Sequence, residues 1–280
     1  MHPTYTYIKQ SLAGIYSDSE ASALAKWILT DVFCLSTIDL YAGKDMNFST
    51  KECAKLEDIL SRLKRYEPLQ YILGKTTFCG LSFEVAPGVL IPRPETEELV
   101  DWIVSDYADE SAVRILDVGT GSGCIPVALA KRLTNSRVTS WDVSSEALAI
   151  AERNKRLNGA EITLAQVDIL STTLPEIYTD ILVSNPPYIT EKERSDMERN
   201  VLDWEPELAL FVPDNDPLLF YRRIAEVGCN ILSPKGVLYY EINRVYGRET
   251  VELLQQMGYK SVELRKDQYG NDRMIKASRP

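Results

Sequence analysis

Val113-Arg-Ile-Leu-Asp117-Val-Gly119-Thr-Gly121-Ser-Gly123-Cys-Ile-Pro-Val-Ala-Leu-Ala130 carries an extended apolar run into three glycines at a spacing of two, then leaves them in a helical apolar pattern. Glycine tolerates the backbone angles of a tight turn and lets backbone N–H groups come close to a ligand. The next apolar run, Val138-Thr-Ser-Trp141-Asp142, ends on an acid 19 residues beyond Gly123. A carboxylate at about that separation can accept hydrogen bonds from ribose hydroxyls. The competing role for Asp142 is a helix cap, for which Ser144 and Ser145 are also placed.

The glycine spacing narrows the ligand. A dinucleotide fingerprint would need glycine at position 124, where Cys124 stands, and no Gly-Lys-Ser/Thr follows. A nucleoside without a pyrophosphate fits better, which points to S-adenosylmethionine rather than NAD or ATP. Asp117 could hold the charged end of such a ligand or cap the loop.

Further on, Ile181-Leu-Val-Ser-Asn185-Pro186-Pro187-Tyr188-Ile stops an apolar strand at an Asn, two prolines and a ring. Neither proline can donate to a sheet ladder, so the strand ends there. Proline also fixes φ and pushes the residue before it towards an extended shape. The stiff segment presents an amide, carbonyls without neighbouring N–H groups, and an aromatic face. Those parts suit a planar –NH2 group, with acceptors for its hydrogens and a ring for its flat face. The plainer readings are a tight turn for Asn-Pro-Pro and core packing for Tyr188.

From Pro94 onward strands and helices alternate. Strands are predicted near 113–118, 137–142, 161–166 and 179–184, then Val237–Ile242 after a turn at Ser233-Pro-Lys-Gly236. Tyr259–Arg265 and Arg273–Ala277 read as a hairpin about Gly270-Asn271. Such alternation means a mostly parallel α/β sheet covered on both faces, with both motifs at strand carboxyl ends. Residues 1–75 read as a helical domain, residues 76–92 as a hairpin linker bent at Gly88, and residues 93–280 as the catalytic domain. In the helical part Ser17-Asp-Ser-Glu20 and Ser49-Thr-Lys-Glu52 are capping boxes, and Phe48 and Cys53 form a candidate hydrophobic staple. Ala21, Leu24, Ala25, Ile28, Val32 and Leu35 share one helical face, and Pro68 opens a short helix that Gly74 ends.

Glu67-Pro-Leu-Gln-Tyr71-Ile-Leu-Gly74 and Pro87-Gly-Val-Leu-Ile-Pro92-Arg-Pro-Glu95-Thr-Glu97 precede the glycine loop; Glu205-Pro-Glu-Leu-Ala209, Phe220-Tyr-Arg-Arg-Ile224 and Glu241-Ile242 follow the Asn-Pro-Pro-Tyr segment. With the two motifs between them, in this order, they resemble the release-factor glutamine methyltransferases, the PrmC/HemK family. Asn-Pro-Pro-Tyr alone is shared with DNA adenine and ribosomal RNA methyltransferases, whereas Ile-Pro-Arg-Pro-Glu-Thr-Glu is far more specific. The resemblance implies a Rossmann-like, seven-stranded class I methyltransferase domain behind a small all-helical domain. It also implies methyl transfer from S-adenosylmethionine to the glutamine side-chain nitrogen in the Gly-Gly-Gln loop of a class I peptide chain release factor. Asp117, Gly119, Thr120, Gly121, Ser122, Gly123, Asp142 and Ile169 would then bind cofactor, with Asn185 between cofactor and substrate. Pro186, Pro187 and Tyr188 would complete the glutamine pocket, Asn185 and Tyr188 acting in catalysis. Ile169 stands where the family commonly has an aromatic residue, so adenine packing there would be aliphatic. The chain also departs at Val212-Pro-Asp-Asn-Asp-Pro217, where a glycine-rich stretch is usual, and at Asn243, where Glu-Ile-Gly is expected.

Composition bounds the alternatives. The net charge is −10, and residues 81–280 carry all of it, with 22 basic against 32 acidic side chains. A nucleic-acid enzyme needs a basic face for phosphates, so a DNA or RNA amino methyltransferase is the weaker reading, and a basic protein partner the better one. A non-catalytic nucleotide-binding protein is the other alternative. The one histidine, His2, lies near the terminus, so histidine acid–base chemistry is not expected. The five cysteines have no C-x-x-C pair, which reads as reduced, buried thiols rather than disulfides or a metal site. No apolar run approaches the roughly 18 residues of a membrane span, and no signal segment opens the chain, so a soluble cytoplasmic protein is expected; a monomer is adequate for the mechanism. The helical domain would either grip the protein substrate or shield the cleft. Arg93 is placed to touch cofactor or cleft wall and is left unassigned.

Overall fold

The computed structural model describes residues 3–42, 48–108 and 112–280, so His2 lies outside the described residues. The chain clusters into two units. Residues up to Leu73 together with Arg199–Trp204 make the first, and Gly74–Glu198 with Glu205–Pro280 make the second.

The first unit is helical. Ser17 accepts the Glu20 N–H and opens the helix Asp18–Trp27, which runs on into a single π turn, Ile28–Val32. Leu35 falls beyond that turn, yet it is buried with Ala25, Ile28 and Leu29. Ser49 and Glu52 form the reciprocal capping box of the helix Thr50–Leu63, whose apolar face buries Leu56, Ile59, Leu60 and Leu63. At the expected staple, Phe48 packs edge-on against Phe33 at 4.7 Å, and the exposed Cys53 donates its thiol to the Phe48 carbonyl at 3.8 Å. Arg199–Trp204 joins this unit through the Arg199 guanidinium, 4.2 Å above the Tyr66 ring, and through Trp204 Nε1, which donates to the Arg65 carbonyl at 3.1 Å.

The second unit opens with a hairpin, β1 (Lys75–Phe78) and β2 (Leu81–Glu84). Its bend is Cys79-Gly80, not Gly88. Both residues have positive φ, 48° and 74°, which is the two-residue turn whose twist matches the strands it joins. Gly88 lies in a separate turn after β2.

Among the described residues nine further strands follow: β3 (Arg114–Val118), β4 (Arg137–Asp142), β5 (Ile162–Gln166), β6 (Thr179–Ser184), β7 (Ile189–Thr190), β8 (Phe211–Val212), β9 (Leu232–Glu241), β10 (Lys260–Lys266) and β11 (Asp272–Ser278). Seven of them form one sheet in the order β10-β11-β9-β6-β3-β4-β5. All neighbours are parallel except β11, which runs against β9 and β10. The parallel strands read as near-continuous apolar runs because helices cover both faces. Ile115, Ile181 and Val183 pack with Val127 and Leu129 on one face, and Leu116, Leu182 and Leu238 with Ile224 and Tyr221 on the other.

The expected turn at Ser233–Gly236 is absorbed into β9. Thr179 pairs with Leu232 and Ile181 with Val237, so the residues between loop out as a bulge inside the strand. The short pair β7–β8 has no counterpart in the sequence reading; it ties the segment after Tyr188 to the 211–212 segment. The thiols are free but not buried as a set: Cys34 and Cys53 are exposed, and Cys79, Cys124 and Cys229 are partly covered.

Candidate active site

Three strand ends meet at a cavity of about 430 Å³. The end of β3 supplies the glycine loop, that of β4 Asp142, and that of β6 Asn185. β3 sits between β4 and β6, and the chain after β5 crosses back to β6. A sheet that reverses its winding in this way opens a crevice at its carboxyl edge.

The loop is held by backbone bonds. The Gly119 and Thr120 N–H groups donate to the Trp141 carbonyl at 2.8 and 3.2 Å. Gly121 N–H donates to Asp142 Oδ2 at 2.8 Å, and Ser144 N–H donates to Oδ1 at 2.8 Å. Gly123 has φ of 82°, and a Cβ there would stand 3.1 Å from Ala151 Cβ, so the helix that follows packs close only because the side chain is absent. Ser144, not Asp142, caps the helix Ser145–Leu157, accepting from Ala147 N–H at 3.2 Å. Asp142 remains in the cavity wall. Burial pushes its carboxyl up, while the amides of Gly121 and Ser144 oppose that shift.

Gly119, Thr120, Gly121, Ser122, Asp142, Ile169, Asn185 and Pro187 share the cavity wall; Asp117, Gly123, Pro186 and Tyr188 are outside it. Asp117 is fully buried beneath the loop, where Ser140 Oγ donates to its Oδ2 at 2.5 Å and Oδ1 has no partner among the described residues. Burial drives its pKa up to about 7. Ser122 Oγ is likewise buried without a partner in the wall. A carboxylate, an orphaned hydroxyl and an aliphatic side made by Val167, Ile169 and Leu170 fit a nucleoside with a polar tail.

Asn185 is partly buried, and its Nδ2 donates to Thr96 Oγ1 at 3.3 Å. Thr96 Oγ1 donates to Glu241 Oε2 at 2.5 Å, and the Tyr188 hydroxyl donates to Oε1 of the same carboxylate at 3.2 Å. Burial raises the pKa of both Glu241 and Tyr188. Tyr188 N–H donates to the Leu210 carbonyl at 3.2 Å. Asn243 Nδ2 donates to the Tyr188 carbonyl and to Glu193 Oε1, each at 3.0 Å. Thr96 and Glu241 lie in segments that match the family and carried no role of their own in the sequence. Glu241, an acid inside the apolar run Val237–Ile242, was the one available signal, whereas Thr96, flanked by Glu95 and Glu97, offered none. Arg93, left unassigned before, lines the cavity and pairs with Glu205.

The departures also find partners. Asp216 takes two hydrogen bonds from Arg222, at 2.7 and 3.0 Å, and Asp214 Oδ1 accepts Lys192 N–H at 3.2 Å. Acidic side chains thus shape the stretch that lacks glycines.

Sheet order, glycine loop and cavity together define a class I methyltransferase, and residues 97–203 match the methyltransferase small domain family while residues 4–74 match the PrmC N-terminal domain. The chain belongs to the release factor glutamine methyltransferase family: it is 50% identical over 280 residues to the member from Bacteroides thetaiotaomicron, covering all of both chains. It is 47% identical over 276 residues to the member from Flavobacterium psychrophilum, covering 98% of this chain and 97% of that one. A methyltransferase structure from Pyrococcus furiosus shares the fold with a TM-score of 0.54 at 18% identity, over 82% of this chain and 98% of that chain. Among the described residues no helix is long and apolar enough to cross a membrane.

Proposed function

We propose that this methyltransferase transfers a methyl group from S-adenosylmethionine to the side-chain nitrogen of the glutamine in the Gly-Gly-Gln loop of a class I peptide chain release factor. The observation that carries the reading is Asn185, which shares one cavity wall with the glycine loop and Asp142. The two release factor glutamine methyltransferases named above are matched over 100% and 97% of their lengths. S-adenosylmethionine, when bound, supplies an electrophilic methyl group. Gly119 to Gly123 and Asp142 would hold its amino-acid and ribose parts, with Ile169 against the base and Asp117 supporting the loop from below.

An amide nitrogen is a poor nucleophile because its lone pair is delocalised into the carbonyl. Asn185 Oδ1 and the Pro186 carbonyl would each accept one N–H of the substrate glutamine, which aims the nitrogen at the methyl group. Positioning of this kind contributes roughly 7–11 kcal/mol in favourable cases. The same oxygens would stabilise positive charge developing on that nitrogen as the sulfur–methyl bond breaks and S-adenosylhomocysteine leaves, after which the nitrogen gives up one of its two protons to solvent. Pro187 and Tyr188 would wall the flat amide. The helical unit would recognise the factor. A monomer would suffice for this mechanism, working in the cytoplasm where release factors act.

The test incubates the protein with labelled S-adenosylmethionine and a Gly-Gly-Gln release factor, its Gln→Ala variant, DNA, or ribosomal RNA. Label on the unaltered factor alone is expected. Label on nucleic acid, or on the Gln→Ala factor, would overturn the assignment.

A further inference from the structure

Asn185 can place its oxygen at the cavity only if its –NH2 faces the protein, and the two halves of an amide are nearly equal in shape. Something must select one of two orientations. Thr96 Oγ1, which lines the same cavity, receives Asn185 Nδ2–H at 3.3 Å and gives its own proton to Glu241 Oε2 at 2.5 Å. A hydroxyl has one proton, and a carboxylate has acceptors only. With its proton committed to Glu241, Thr96 can offer Asn185 nothing but a lone pair. The amide must then present –NH2 to Thr96, which leaves Oδ1 as the half facing the cavity. The flipped amide would set two oxygens against each other.

Glu241 is built for this task. It sits at the end of β9, 1% exposed, and its other oxygen accepts the Tyr188 hydroxyl at 3.2 Å. Burial raises its pKa, and the Thr96 hydroxyl, the charge of Arg273 and the Tyr188 hydroxyl oppose that shift by favouring the ionised form. Thr96 comes from the first turn of the helix Pro94–Tyr107, so three distant stretches of chain converge on one proton chain.

We propose that Thr96 and Glu241 are positioning residues that fix the side-chain amide of Asn185 with Oδ1 towards the substrate. The inference rests on the proposed function for its catalytic consequence, but the orientation itself can be read separately. The direct readout is the pair of Asn185 side-chain N–H resonances in protein labelled with heavy nitrogen at asparagine, assigned by their loss in Asn185→Ala. In Thr96→Val the downfield member of the pair is expected to shift upfield, whereas Thr96→Ser, which keeps the hydroxyl, should retain the original pair. An unchanged pair in Thr96→Val would overturn the inference whether or not the protein methylates a release factor. The second readout is turnover on a Gly-Gly-Gln release factor with S-adenosylmethionine saturating. There kcat should fall about tenfold in Thr96→Val with cofactor affinity unchanged, and recover in Thr96→Ser. Wild-type kcat in a folded Thr96→Val protein would also overturn it. Absence of methylation by the unaltered protein counts against the proposed function alone, because the resonance pair still decides the orientation.

Discussion

Arg93 and Glu205 meet at 2.5 Å although 112 residues separate them in sequence, and the Glu205 side chain is only 1% exposed. The second Glu205 oxygen accepts Ile91 N–H at 3.1 Å. One carboxylate therefore fastens the strip before the helix Pro94–Tyr107 to the chain at Pro206, and Arg93 and Pro206 both line the cavity. Glu205→Ala orphans a buried N–H and strands Arg93, so a loss of about 1–3 kcal/mol is expected in urea unfolding. Glu205→Gln keeps an acceptor and should lose less. Equal losses in the two variants would show that packing, not the hydrogen bonds, holds the strip.

Asp117 predicts a pH dependence of stability. Its folded-state pKa lies near 7, above the 3.8 of an ordinary Asp, because burial disfavours the charge. The folded form therefore holds the proton more tightly than the unfolded chain. Its contribution is fully present below pH 4 and is lost as pH rises towards 7, with a change on the order of 4 kcal/mol. Asp117→Asn should remove that slope. Unfolding free energies measured between pH 4 and 8 for the two proteins check the sign, and parallel curves would refute it.

Gly123→Ala should damage the loop from a position outside the cavity wall. Alanine at φ of 82° is strained, and its Cβ would press Ala151 at 3.1 Å. A loss of roughly 1–2 kcal/mol is expected from the backbone conformation, with further loss from the contact. S-adenosylmethionine affinity, measured by calorimetry, should fall as the loop moves away from Asp142.

Much of this arrangement was legible because local chemistry and fold agreed. Three glycines after an apolar run, and two prolines ending another, mark strand ends whatever surrounds them. The N-cap at Ser17 and the capping box at Ser49 act over three residues, so they could be read directly. The hairpin bend could not, because Cys79 takes positive φ only once Phe78 and Leu81 are paired, whereas Gly88 is the more permissive residue. The bulge at 233–236 likewise depends on which strand lies beside β9. Thr96, Glu241 and Glu205 act through partners between 53 and 145 residues away, and no spacing rule reaches that far.

Asn243 gives a departure from the family pattern a measurable role. Its Nδ2 holds the Tyr188 carbonyl and Glu193, while its Oδ1 accepts Val245 N–H at 3.0 Å. Asn243→Ala should loosen the Asn-Pro-Pro-Tyr segment, lowering kcat severalfold and stability by about 1–2 kcal/mol. Asn243→Asp keeps the bond to Val245 but sets a carboxylate against Glu193, so it should be the worse of the two. A milder effect for Asp than for Ala would remove Glu193 from the account.

Asn185 is the sharpest test of the mechanism. Asn185→Ala removes one acceptor for the substrate amide and one weak bond to Thr96, so folding should change by no more than about 1 kcal/mol. Turnover should drop at least about tenfold, equivalent to about 1.4 kcal/mol of lost transition-state stabilisation. Asn185→Asp separates two explanations. If the site needs only an acceptor, Asp should restore turnover, since it has two. If the site needs an amide whose –NH2 is satisfied by Thr96, Asp fails, because Thr96 has already given its proton to Glu241 and two acceptors would then face each other. The second outcome is expected: Asp at or below Ala in kcat, with cofactor affinity little changed. Wild-type turnover in either variant would sink the role given to this side chain.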